Sequence, residues 1–178
     1  MTPFPSDPRP VGDMLSDVTG AGLTITFSQE LYHSKIGDGW ELWSHGYTGD
    51  VYDTAASLTD PTSLTLTFSS SVHAFYLFVE PTQWDNFNIT ALTDAGAILS
   101  QTVDGEGGAA GFGFYTDGTE SISSITIRTT DTDGFAIGEF AFNQATGVPD
   151  GGCTLFTVAF ALLSLGYFRS KVGALGKQ

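Results

Sequence analysis

Five aromatic residues stand where they could do chemistry: Trp40, Trp43, Tyr47, Trp84 and Tyr115. Three of them, with Tyr52, crowd into Ser34 to Asp53, which reads SKIGDGWELWSHGYTGDVYD and is broken four times by glycine. An indole or phenol face beside a carboxylate or amide is how a flat glycan site works: the ring covers the apolar face of a sugar and the polar groups take its hydroxyls. Trp84-Asp85-Asn86, just after Pro81, is a piece of this kind. The competing reading is that these rings plug one end of the core.

Other groups suggest metals. Asp131-Thr132-Asp133-Gly134 with Glu139 sets three carboxylates in one turn and strand, a donor set that suits a structural calcium. It is not an EF-hand loop, because Phe140 stands where the closing glutamate would fall. Asp104 and Glu106 make a weaker cluster of the same type. His33 and His45 could meet across the aromatic loop near Glu41, while His73 lies apart; nothing in their spacing demands a transition metal.

Catalysis has little support. The chain has no nucleophile elbow and no metalloprotease helix motif. GEGGAAGFG is rich in glycine but leads into a strand, so it lacks the helix N-terminus that holds a phosphate. Paired carboxylates for glycoside hydrolysis could come from Glu41 with Asp50, Asp53 or Glu80, and only their separation would decide it. The sequence therefore predicts no enzyme.

These residues need a scaffold, and the alternation of apolar residues supplies it. Leu23-Thr24-Ile25-Thr26-Phe27 and Leu64-Thr65-Leu66-Thr67-Phe68 alternate with period two, the mark of half-buried strands. Ala74 to Glu80 is apolar on both faces and predicts a central strand. Phe87 to Leu92, Ala97 to Val103, Gly111 to Thr116 and Ile122 to Arg128 follow at sandwich-like spacing, with Asp/Gly-rich turns between them. In Phe135 to Phe142 the inward parity changes at Gly138-Glu139, which predicts a β-bulge. The expectation is an all-β, jelly-roll-like antiparallel β-sandwich over residues 23–143, in two packed sheets, after an irregular lead-in over 1–22.

Charge narrows the partners. Before residue 148 there are 19 acids against three bases (Arg9, Lys35 and Arg128), a balance of −16. Such a body repels phosphates, which excludes a nucleic-acid partner. The one cysteine, Cys153, lies beyond the predicted domain, so the sandwich holds no disulfide.

The C-terminus reads differently. Val148-Pro149-Asp150-Gly151-Gly152 forms a motif and linker within 144–152. Residues 153–168 are uncharged and predict a single hydrophobic helix, and Arg169 and Lys171 open a basic tail over 169–178. At 1.5 Å per residue that helix spans roughly 24 Å, short of a hydrocarbon core of about 30 Å but able to insert with snorkelling flanks. The cations put the C-terminus in the cytoplasm and the acidic domain outside. Met1 to Gly20 holds four prolines and no apolar run, so export implies a leader ahead of it.

This tripartite tail resembles the PEP-CTERM class of bacterial sorting signals, in its Val-Pro-Asp-Ser-Gly variant. Val148, Pro149, Asp150 and Gly152 match, and Gly151 replaces the serine. The upstream runs IGDGWELWSHGYTGDVYDT, AFYLFVEP, GGAAGFGFYT and GFAIGEFAF resemble an uncharacterised group of such exported proteins over roughly residues 23–170. The resemblance implies an exosortase-like transpeptidase as partner, a membrane-anchored precursor, display at the cell surface or in an exopolysaccharide matrix of a Gram-negative bacterium, and no known activity. The expected roles are thus a non-catalytic matrix protein, a carbohydrate-binding module, a glycoside-active enzyme or a surface-layer subunit with open strand edges. If the tail is a processed signal, mass spectrometry of the protein from its native cells will find a mature C-terminus near Gly152; an intact Gln178 would leave only a plain anchor.

Overall fold

The computed structural model describes residues 1–56, 60–117 and 120–144; the motif at 148–152, the hydrophobic run at 153–168 and the basic stop at Arg169 and Lys171 lie outside the described residues. Among the described residues no helix is long and apolar enough to cross a membrane. Twelve strands are present among the described residues. They are β1 (Thr2–Pro3), β2 (Met14–Gly20), β3 (Leu23–Ile36), β4 (Gly39–Trp40), β5 (Asp50–Asp53), β6 (Ser63–Val72), β7 (Ala74–Pro81), β8 (Asn86–Thr93), β9 (Ile98–Asp104), β10 (Ala110–Tyr115), β11 (Ile122–Thr129) and β12 (Phe135–Asn143).

The expected all-β antiparallel architecture is present, with one correction. The strands form a single hydrogen-bonded path, β10-β7-β12-β5-β3-β6-β11-β8-β9, rather than two separate sheets. The path doubles back at β3, whose first half pairs with β6 through Ile25–Phe27 and whose second half pairs with β5 through Tyr32–Ser34. The free ends of the path meet. The Gln101 side-chain amide of β9 donates to the Gly111 carbonyl of β10 at 3.0 Å, so the sandwich is nearly a closed barrel. β9 and β10 share no backbone ladder, so both remain edge strands.

Inside lies one core. Leu23, Ile25 and Leu31 of β3 meet Leu64 and Leu66 of β6, Phe75 and Leu77 of β7, and Phe135 of β12, all without solvent exposure. Stacked and tilted rings run through it from Phe68 to Phe75 to Phe140 to Tyr52. The bulge expected in β12 is there. Its register against β7 slips between Gly138 and Ala141, and Glu139 takes a φ of 54°. That extra residue keeps Phe135, Ile137, Phe140 and Phe142 all facing inward.

Two sequence expectations give way. The lead-in is not irregular throughout: β1 pairs with β12, and β2 pairs with β3. A bulge between Leu15 and Asp17 breaks the alternation of β2, so buried Leu15 and Val18 fall out of phase and hide the strand from a period-two reading. Likewise β3 runs well past Phe27. Gln29 and His33 occupy inward positions there and disguise the pattern.

A polar clasp holds the lead-in down. The Asp50 carboxylate accepts from Ser6 Oγ at 2.8 Å and from the Asp7 N–H at 3.0 Å, and its other oxygen lies 3.1 Å from His33 Nε2. His33 is 0% exposed, and its Nδ1 lies 3.0 Å from the Pro10 carbonyl. Burial alone would raise Asp7, but hydrogen bonds from Arg9 and the Tyr52 hydroxyl bring it down to about 2. Replacing Asp50 with Ala strands the buried imidazole and two donors at once. Urea denaturation is expected to show a loss of about 3–5 kcal/mol, and a loss under about 1 kcal/mol would contradict the clasp.

Candidate functional site

The segment from Gly37 to Gly49 crosses the outer face of β7 and β12, and Trp43 fastens it there. Trp43 is 7% exposed and packs with Val51, Ala109 and Ala136. Small residues make the seat. A Cβ on Gly138 would come within 3.3 Å of the Trp43 ring, and one on Gly108 would lie 2.9 Å from the Trp43 and Ser44 backbone, where a φ of 87° also favours glycine. Ser44 Oγ donates to the Ala109 carbonyl at 2.7 Å, which pins the segment to the glycine-rich turn before β10. Tyr47 donates to the Asp50 carbonyl at 3.0 Å, and burial followed by the nearby Asp50 charge pushes its phenol up to about 12. Trp43 therefore serves as packing, out of a ligand's reach, while Tyr47 lines a separate hollow of about 230 Å³ with Asp50 and Glu139.

This anchoring presents Trp40. Trp40, Glu41 and Leu42 converge with Glu80, Thr82 and Trp84 on a cleft of about 150 Å³ whose rim includes Gly39. Alternation along β7 turns Phe75, Leu77 and Val79 inward and leaves Tyr76, Phe78 and Glu80 on the outer face. Thr82 and Trp84 follow in the loop to β8. Trp84 is 63% exposed and Trp40 is half-buried, so two indoles flank the cleft.

Glu80 forms its polar wall. It is 3% exposed, and Trp40 Nε1 donates to its Oε2 at 3.2 Å. Its Oε1 takes no hydrogen bond from the described residues. Burial pushes the acid from 4.5 up to about 7, against the lowering effect of the Trp40 N–H. Thr82 Oγ1 is buried and has no partner among the described residues. A ligand hydroxyl reaching it would recover about 1–3 kcal/mol of desolvation cost.

The remaining candidates scatter. Asp131 is fully buried, and its oxygens accept from the Gln83 and Asp133 N–H groups; Asp133 takes the Gln83 side-chain amide. Glu139 lies on β12, beyond the turn that holds Asp131 and Asp133, and bonds His45 Nε2 at 2.8 Å. The three carboxylates thus do not converge, and among the described residues no group of three or more His, Cys, Asp or Glu side chains is placed to hold a metal. His33 and His45 do not meet either, since one is tied to Asp50 and the other to Glu139. Tyr115 is exposed on β10, outside the Trp40 cleft, and borders a cavity of about 380 Å³ with Thr93, Thr116 and Glu120. Another, shallow hollow of about 410 Å³ lies over Tyr76, Phe78, Gly111 and Gly113, with Glu139 at its margin. Sequence reasoning missed Thr82; a lone threonine after a proline carries no signal, and only its geometry beside Glu80 reveals it.

No family model matches the sequence, and no curated protein does. Among solved structures, the chain is similar to a carbohydrate-binding module of Cellvibrio mixtus lichenase 5A in complex with cellotriose, at a TM-score of 0.36 and 12% identity, covering 67% of this chain and 90% of that one. It is also similar to a variant of a family 29 carbohydrate-binding module, at a TM-score of 0.37 and 10% identity, covering 79% and 94%. No residue role passes from either to this chain.

The buried acids set the pH response. Burial also raises Asp53, from 3.8 to about 6. Folded Glu80 and Asp53 both hold protons more tightly than they do when unfolded, so stability falls as pH rises between about 4 and about 7. Asp7 acts oppositely, and its contribution is lost only as pH drops from about 4 toward 2. The expected profile peaks near about pH 4–5 and then declines by a few kcal/mol in all, since each tenfold difference in proton affinity between folded and unfolded chain contributes about 1.4 kcal/mol. Glu80→Gln should flatten that decline; a variant with the wild-type slope would contradict the assignment.

Proposed function

We propose that this chain is a glycan-binding protein, exported and held at the cell surface or in its matrix, that works by contact rather than by catalysis. One observation carries the reading: two indoles, Trp40 and Trp84, flank a cleft whose wall is the Glu80 carboxylate. Indole faces cover the axial C–H groups of a pyranose, while a carboxylate accepts its hydroxyls in a fixed direction. The arrangement is held before any ligand arrives, because Trp43 seats the segment and the Trp40 N–H fixes Glu80. Such preorganisation lowers the ordering cost of binding.

Charge and tail support the setting. A body at −16 stays soluble outside the cell and avoids anionic surfaces. The run at 153–168 with Arg169 and Lys171 supplies the membrane tether, and the motif at 148–152 the substrate of an exosortase-like transpeptidase. Exopolysaccharide is then the nearest ligand.

A second reading has its own observation. Glu41 and Glu80 line the same cleft, and an acid near pH 7 is what a glycosidase's proton donor needs. The binding reading expects oligosaccharides to survive long incubation, with no new reducing ends; steady release of reducing sugar would favour hydrolysis.

Trp84→Ala is the direct test of contact. Trp84 is mostly exposed, so its removal should leave the melting temperature within about 2 °C. In a glycan array followed by calorimetry, affinity for the captured glycan should fall about tenfold or more. Unchanged binding would exclude this cleft as the place of contact.

A further inference from the structure

The cleft discriminates by charge. Glu41 and Glu80 both line it, and none of the three cations that precede residue 148 does. Arg9 is committed elsewhere, bonded to Asp7 and Asp17. Glu80 is almost fully buried and receives a single hydrogen bond, from an uncharged indole. A buried carboxylate with no cation beside it is costly to ionise, and the upward displacement of Glu80 to about 7 reflects that cost. Whenever Glu80 is ionised, the cleft is therefore short of one positive charge. A neutral pyranose does not supply it, and a uronate or sulfate ester makes matters worse inside a body at −16. An ammonium group does supply it. The indole faces beside the carboxylate also attract a cation, and tryptophan is the best of the side chains for that.

We propose that the ligand of this cleft is a polysaccharide bearing free primary amines, a de-N-acetylated hexosamine chain, with one ammonium seated against Glu80 between Trp40 and Trp84. The inference rests on the glycan reading and names its substrate class. The amine gives up water for a carboxylate oxygen, Oε1, that carries no hydrogen bond from the described residues, and the sugar ring lies against the exposed face of Trp84. Glu41, exposed at the rim, adds long-range attraction.

The test uses the full chain in a polyoxyethylene detergent, at about pH 6.5 and about 0.15 M salt. The probes are β-1,4-linked hexamers of glucosamine, of N-acetylglucosamine and of glucose, with hexalysine as a cation that lacks a sugar ring. The glucosamine hexamer is expected to bind about tenfold tighter than either neutral hexamer. Glu80→Gln should bring that ratio to within about twofold while neutral hexamers still bind, and Trp84→Ala should weaken all three. Hexalysine, which has no ring to stack, should lose less affinity than the sugar hexamers on Trp84→Ala, and it should lose most of its binding on Glu80→Gln. Equal affinity for amine and N-acetyl hexamers, or a preference that survives Glu80→Gln, overturns the amine assignment and leaves the glycan reading standing. Failure of every hexamer to bind overturns both.

Discussion

The site depends on one packing contact, the burial of Trp43 against Gly138, Ala136 and Ala109. A large ring can lie flat on a sheet only where the strands beneath offer almost no side chain, and β12 and the turn before β10 offer glycine and alanine there. With Trp43 seated, the residues on either side have little freedom. Trp40 is turned toward Glu80, and His45 is turned toward Glu139. The backbone concedes something for this. His45 and Glu139 both take left-handed conformations unusual for residues with a Cβ, and their side chains are bonded to each other. The same bulge that reverses the parity of β12 thus helps to lay the aromatic segment across the sheet.

The segment is also tied at its far end. Asp50 follows it directly, and its carboxylate gathers Ser6, Asp7 and His33 into the clasp that holds the lead-in. The chain's first strands, its aromatic crossing and its central β12 are therefore mechanically linked. Against that rigid background, Glu80 stands out as an acid buried without a cation. Proteins tolerate such groups when they are neutral, when they are paired, or when a ligand completes them. Glu80 is only half provided for by an indole N–H, and it lines the cleft where a ligand would complete it.

How much of this the sequence reveals depends on whether local pattern or tertiary contact decides the matter. Leu23–Phe27 and Leu64–Phe68 declare themselves because one face is wholly buried and the other is threonine. The β12 bulge is legible for the same reason, since four aromatic and aliphatic residues demand one interior and their parity does not match. β2 is hidden by its bulge, and the long run of β3 by Gln29 and His33, polar residues that bond partners far along the chain. At the site, Trp40 and Trp84 announce themselves by type, but nothing local separates them from Trp43, whose burial is decided by small residues far along the chain, Gly138 among them. Asp131 and Asp133 look like metal ligands in one dimension. In three, both oxygens of Asp131 and one of Asp133 accept from nearby N–H groups, and Glu139 is drawn to His45.

Three tryptophans give three indole N–H resonances, and these report on whether the cleft takes a glycan. The full chain in detergent micelles can be titrated with the glucosamine and N-acetylglucosamine hexamers while those signals are followed by NMR. Saturable shifts are expected for Trp40 and Trp84, with a stationary signal for the buried Trp43. If all three stay still, or if Trp43 moves while the other two do not, the cleft between Trp40 and Trp84 is not where a glycan binds.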